Sequence, residues 1–167
     1  MSRAAGDKRI LAIDPASRGF GFAVLEGPRR LIDWGVKSAR VNKDKRCLKL
    51  IEDLIERYEP DVIVVEDYES KGSRRCRRVQ QLIESILILA GKGKIRAQMY
   101  SRRTVKKIFS QSDAKNKHQM ATAIAKQFPE LGPRLPPARK PWMSEDYRMS
   151  IFDAVALALT FFYFDNK

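Results

Sequence analysis

Cysteine and histidine are nearly absent from this chain, which has two of the first and one of the second in 167 residues. Cys47 and Cys76 lie far apart, with no Cys-x-x-Cys pair and no histidine beside either. That excludes a zinc ligand set and a disulfide framework, and leaves two free thiols in a reducing compartment as the expectation. Apolar runs long enough to cross a membrane are missing too, and Met1 to Lys8 is short, polar and without the apolar stretch of a signal peptide. Those first residues, 1–8, are expected to form a flexible tail. The expected location is the cytoplasm, or an organellar or viral equivalent. With no internal repeat and no convincing break, residues 1–167 are expected to form one domain.

Negative charge is the other shortage. Asp and Glu number 20 against 33 Lys and Arg, a formal net charge of +13 with an isoelectric point near 10.0. Basic groups displace the counterions condensed on a phosphate backbone, so this excess points to a polyanionic partner, nucleic acid first. Ribosomal, chaperone-like and membrane-surface proteins can be as basic, so charge alone does not decide. A hydrophobic content of 44% supplies an ordinary core and excludes disorder.

Periodicity supplies the architecture. Arg9 to Asp14, Gly19 to Leu25 and Leu31 to Val36 are short apolar or alternating runs, separated by a turn with Pro15 and Gly19 and a second at Gly27-Pro28. They read as an antiparallel meander. Leu48, Ile51, Leu54, Ile55 and Tyr58 then share one helical face. Pro60 ends that helix, and the continuous apolar run Asp61 to Glu66 suits a central strand buried on both faces. A second helix carries Leu82, Ile83, Ile86, Leu87 and Leu89 to a stop at Gly91 and Gly93, and Ile95 to Tyr100 forms a fifth strand. Helical segments follow at Arg102 to Phe109 and Lys115 to Phe128. The four prolines between Gly132 and Trp142 exclude regular structure there, and Tyr147 to Phe164 is a final apolar helix. The expected fold is α/β: a mixed five-stranded sheet, three antiparallel strands then parallel ones, with helices on both faces.

Three acids occupy unusual places. Asp14 ends the first strand, Glu66 ends the central strand, and Asp153 is the only charged residue between Met149 and Phe164. Singly, a strand-end Asp serves as a turn residue, and an acid in an apolar helix can pair with an arginine. Together they invite another reading, because the ends of neighbouring parallel strands converge on one sheet edge and a helix across that edge can add a third carboxylate. Oxygen donors without histidine or cysteine suit a hard cation, Mg2+ or Mn2+. Two such ions would clamp the attacking water and the leaving oxygen of a phosphodiester, so no nucleophilic side chain would be required.

Basic residues flank these acids. Arg74, Arg75, Arg77 and Arg78 oppose the dipole of the helix they precede, which favours a bound anion over a solvated charge run. Of Lys106 and Lys107 one is expected to face solvent and the other the site, and Lys117 is a second candidate for phosphate contact. His118 is expected on a helix surface, and Trp34 and Trp142 in packing, although Trp142 in a loop could stack on an unpaired base.

The residues Ile10-Leu11-Ala12-Ile13-Asp14-Pro15-Ala16-Ser17-Arg18-Gly19-Phe20-Gly21 resemble the first-strand motif of the RuvC Holliday junction resolvases. Val62-Ile63-Val64-Val65-Glu66 is similar to that family's second catalytic motif, and Asp153-Ala154-Val155-Ala156-Leu157-Ala158 to its terminal acidic helix. Arg103 to Lys106 and Lys115 to Gln119 resemble its basic segments. The resemblance spans Arg9 to Phe162 with the motifs in order. It implies a ribonuclease-H-like fold, a homodimer, Mg2+ dependence and symmetric nicking of four-way DNA junctions. Asp14, Glu66 and Asp153 would then hold metal and Lys106 and Lys117 would face the scissile phosphate, while Lys107 and the arginine cluster are expected from their charge and place to grip DNA.

Three departures stand out. Ser150 occupies the position of the family's usual fourth ligand, with Asp146 as a possible substitute from a loop. Glu69, beside Tyr68, stands where the family often has an aromatic wedge. The arginine cluster and the proline-rich approach to the last helix look like additions. A non-catalytic nucleic-acid-binding module of the same fold is the alternative reading. The short chain argues against an ATP-binding protein of the actin and sugar-kinase type, which needs two such domains.

Overall fold

The computed structural model describes residues 6–69 and 76–167. Three strands open the chain, β1 (Arg9–Ala16), β2 (Gly19–Glu26) and β3 (Leu31–Ser38), followed by helix α1 (Lys43–Tyr58) and strand β4 (Val62–Glu66). Helix α2 (Arg77–Lys92), strand β5 (Arg96–Tyr100), helix α3 (Arg102–Ser110) and helix α4 (Lys117–Gln127) come next. A 3-10 helix (Pro129–Arg134) and helix α5 (Met149–Asp165) complete it. The sheet order is β3-β2-β1-β4-β5, antiparallel through the first three strands and parallel from β1 to β4 and β5. This is the mixed sheet expected.

Strand alternation divides the interior into two layers. Ile10 and Ala12 of β1, with Val62 and Val64 of β4, pack on one face against α5, α4 and Val105 of α3. Leu11, Ile13, Ile63 and Val65 point the other way, into a core with Cys47, Ile51 and Leu54 of α1 and Leu82, Ile83 and Ile86 of α2. The parallel register pairs Ala12 with Val64. Two residues further on, Asp14 and Glu66 therefore project from the α5 face of adjacent strands. The α5 helix is apolar nearly all round, as a helix covered by a sheet and by α4 requires.

The structure corrects four local expectations. Asp14 does not end β1; the strand continues through Pro15, paired with Phe20, to a two-residue turn at Ser17-Arg18. Proline is tolerated there because the pairing to β4 ends at Ala12, so its missing N–H breaks no ladder bond. The α4 helix starts at Lys117, with the Asn116 side chain as N-cap accepting from the Gln119 N–H. Gly132 to Arg134 belong to the 3-10 helix, whose bonds from Leu131 N–H to Phe128 and from Leu135 N–H to Gly132 need no N–H from Pro133. Trp142 is 78% exposed and packs in no core, whereas Trp34 lies against the α5 layer. Both cysteines are free, Cys47 buried and Cys76 exposed.

Candidate active site

A cleft of about 740 Å3 opens where the sheet edge meets α5. Asp14, Glu66 and Asp153 all line it, and so do Lys106, Lys117 and Asp146. Asp14 and Glu66 arrive by the strand alternation just described. Asp153 arrives because α5 can lie directly on β2: Gly21, opposite Asp14, has no side chain, and a Cβ there would stand 2.4 Å from the Ser150 carbonyl. Asp14 and Glu66 are buried, at 4% and 6% exposure, where an ionised carboxylate requires a cation or donors.

Cations are near. Lys117 Nζ donates to Asp153 Oδ2 at 3.0 Å and to both oxygens of Glu145 at 3.0 and 3.1 Å. Burial pushes the Lys117 ammonium down, but the Asp153 and Glu145 carboxylates outweigh it and raise its pKa overall. The Arg102 guanidinium stands 3.8 Å from Glu66 Oε1. Asp146 is committed elsewhere: Arg148 donates to it through Nε at 3.0 Å, Nη2 at 2.8 Å and its backbone N–H at 2.9 Å. Those bonds hold the Asp146 carboxyl below its ordinary range.

Not every sequence candidate is here. Ser150 is buried, absent from the cleft lining, and donates its hydroxyl to the Tyr147 carbonyl at 2.8 Å. Lys107 is exposed and does not line the cleft, whereas Lys106 does. Arg74 and Arg75 lie outside the described residues. Arg77 is exposed; Arg78 is turned inward, donating to the carbonyls of Ala16 and Ser17 in the β1–β2 turn. Tyr68 gives its hydroxyl to Glu84 of α2, and Glu69 is exposed. His118, expected on the open surface, is half-buried and lines the cleft. Sequence reasoning missed Arg102, Arg139 and Glu145, and gave Lys115 no role beyond its place in a basic segment. A signal existed for Arg102, the first residue of α3, two positions after the parallel strand β5.

Among the described residues no three acidic, histidine or cysteine side chains converge tightly enough to enclose one ion. Mg2+ does not need such a cage, since it keeps several waters and takes one or two carboxylates plus substrate phosphates. Carboxylates spread around a cleft of this kind are a suitable donor set for it.

The family model for crossover junction endodeoxyribonuclease RuvC matches residues 10–161. The chain belongs to this family. A crossover junction endodeoxyribonuclease RuvC from Akkermansia muciniphila is 33% identical over 125 residues, covering 70% of this chain and 75% of that protein. Among solved structures, Thermus thermophilus RuvC in complex with Holliday junction substrate superposes with a TM-score of 0.67 at 18% identity, covering 95% of this chain and 96% of that one. The yeast mitochondrial Holliday junction resolvase gives 0.65 at 16%, covering 95% and 79%. The fold is accordingly ribonuclease-H-like, as the sequence motifs implied. The family is one of endodeoxyribonucleases, and no helix among the described residues is long and apolar enough to cross a membrane.

Proposed function

We propose that this protein is a divalent-metal-dependent endonuclease that cuts phosphodiesters in branched DNA, with the four-way junction as its first substrate. The observation that carries the reading is the gathering of Asp14, Glu66 and Asp153, from three separate elements, into one cleft with basic walls. The same cleft holds Arg102, Lys106, Lys115, Lys117 and Arg139, so a surface able to take a phosphate backbone surrounds carboxylates able to take a hard cation. Two relatives in the structural comparison are described as Holliday junction enzymes, which supports the substrate class.

Asp14, Glu66 and Asp153 would hold Mg2+, or Mn2+. When bound, such ions activate water and stabilise the departing 3′ oxygen, so the chain supplies no nucleophile. Lys106 and Lys117 contact the scissile phosphate and balance the charge that develops on it. Arg102 holds Glu66 in place and faces the backbone beside it. Met143, Met149 and Leu157 give the cleft an apolar wall that limits water. Residues 1–167 would act as one nuclease domain, and a homodimer would present two clefts, as symmetric nicking of a four-way junction requires. A cytoplasmic location suits the two free thiols.

Asp14→Asn tests the reading. Cleavage of a labelled junction with Mg2+ should be lost while junction binding is kept or strengthened, because removing an anion cannot weaken attraction to phosphate. Wild-type cleavage by that variant refutes the carboxylate mechanism.

A further inference from the structure

Within the metal-dependent reading just given, one residue remains to be assigned. The family pattern calls for a fourth acid one turn before Asp153, and Ser150 stands there. The structure leaves that position no route into the cleft, since Ser150 is buried against Gly21 with its hydroxyl on the Tyr147 carbonyl. The two acids just ahead of α5 are not equivalent. Asp146 is locked to its own neighbour Arg148 by three hydrogen bonds. Glu145 reaches across the cleft instead, and both its oxygens and Asp153 Oδ2 meet the one Lys117 ammonium. Glu145 and Asp153 thus stand within two hydrogen-bond lengths of each other, sharing a single positive charge.

We propose that Glu145 is the fourth carboxylate of this active site, supplied by the segment ahead of α5 in place of an acid at position 150, and that Lys117 keeps Glu145 and Asp153 facing each other until a divalent cation takes its place between them. The donor set explains how. Two carboxylates that turn toward one ammonium can turn toward one Mg2+ or Mn2+, whose double charge attracts each more strongly at the same distance. Glu145 sits on an exposed loop and its side chain is 46% exposed, so it can adjust its position where a residue inside α5 cannot. Lys117, released from the pair, remains at the cleft wall and is free to meet a phosphate oxygen.

The test is a Mn2+ titration of the DNA-free protein, following the free-ion signal by electron paramagnetic resonance, with thermal melts as the fold control. Glu145→Gln should weaken Mn2+ binding by about tenfold, the loss of one full charge at contact distance. Asp146→Asn should change it less than about twofold, because that carboxylate already serves Arg148. Lys117→Met should strengthen it, since ammonium and metal compete for the same two carboxylates. Asp14→Asn should weaken it and serves as the reference for the site itself. If Glu145→Gln binds Mn2+ like the wild type while Asp14→Asn does not, Glu145 is no ligand and the inference is wrong, though the metal site survives. Weakening by Asp146→Asn in its place transfers the assignment to Asp146. If neither Asp14→Asn nor Glu145→Gln alters binding, the metal reading itself fails and the inference falls with it.

Discussion

Gly21 offers a way to disturb the active-site geometry without removing any polar group. It lies opposite Asp14 in the β1–β2 register, and a Cβ built there would fall 2.4 Å from both the carbonyl carbon and oxygen of Ser150 and 2.5 Å from its Oγ. Ordinary contact begins at 3.4 Å, so Gly21→Ala obliges the first turn of α5 to withdraw by about 1 Å. Two of the clashing atoms belong to the backbone, and no rotamer relieves them. Overpacking of this kind costs about 1–3 kcal/mol. In a chain of this size that corresponds to a fall in Tm of roughly 2–12 °C. Asp153 follows Ser150 by one turn, so it moves with the helix relative to Asp14 and Glu66. A 1 Å misplacement of a reacting group can cost about 100-fold in rate. The assays are a thermal melt, junction binding, and single-turnover cleavage at saturating protein. The expectation is a lowered Tm, unchanged binding and a cleavage rate down by about 100-fold. A Gly21→Ala protein that cuts at the wild-type rate shows that the contact of α5 with β2 does not set the position of Asp153.

Three other perturbations have defined outcomes. Glu26, buried at the far end of the sheet, pairs with Arg9 at 2.7 Å, and Glu26→Ala leaves that guanidinium uncompensated; denaturant unfolding should show a loss of about 3–5 kcal/mol. Burial and the hydrogen bond to Asp33 push the Tyr58 hydroxyl up to about 12 from 10.0, so its stabilisation is complete below pH 10 and lost as pH rises through 12; Tyr58→Phe should flatten that alkaline fall, worth on the order of 1 kcal/mol after solvent screening. Arg77→Ala should lower the log–log salt slope of duplex binding by about 0.9, whereas Arg78→Ala should leave the slope unchanged and lower Tm, because Arg78 braces the β1–β2 turn.

The sheet and its helices were legible because each rested on a repeated local signal. Alternation in β1 and β4 announced which side chains face α5, and the same period carried Asp14 and Glu66 into the cleft. Spacing in α1 and α2 likewise announced the buried stripe of Ile51 and Leu54, and of Leu82, Ile83 and Ile86. Where the reading failed, the deciding contact was between distant parts of the chain. Pro15 reads as a turn until β4 is known to stop short of it. His118 reads as a surface residue until it is seen to share a cleft with Pro136 and Pro137 of the proline-rich segment. Glu145 and Asp146 are adjacent acids with nothing in their own sequence to rank them. Their roles divide because Arg148 is local to one and Lys117, from a helix 28 residues earlier, meets the other.

The charge distribution in the cleft follows from the same pairings. A chain with a net charge of +13 could have left the cleft acids dispersed among unpaired cations, yet here Glu66, Glu145, Asp146 and Asp153 each have a basic side chain beside them. Lys117 joins Asp153 to Glu145, Arg102 stands by Glu66, and Arg148 holds Asp146. Each of these pairings sets a cation beside a carboxylate that burial would otherwise leave short of partners. Under the proposed mechanism a divalent cation competes with Lys117 for Asp153 and Glu145. A phosphate backbone entering the cleft reduces that competition, because it offers Lys117 and Arg102 a second anion. Under the proposed mechanism DNA therefore raises the affinity for metal, and by thermodynamic reciprocity metal raises the affinity for DNA by the same factor. On that reading the exchange of partners at Lys117 ties the two events together, so that metal loading of the cleft is favoured on the substrate.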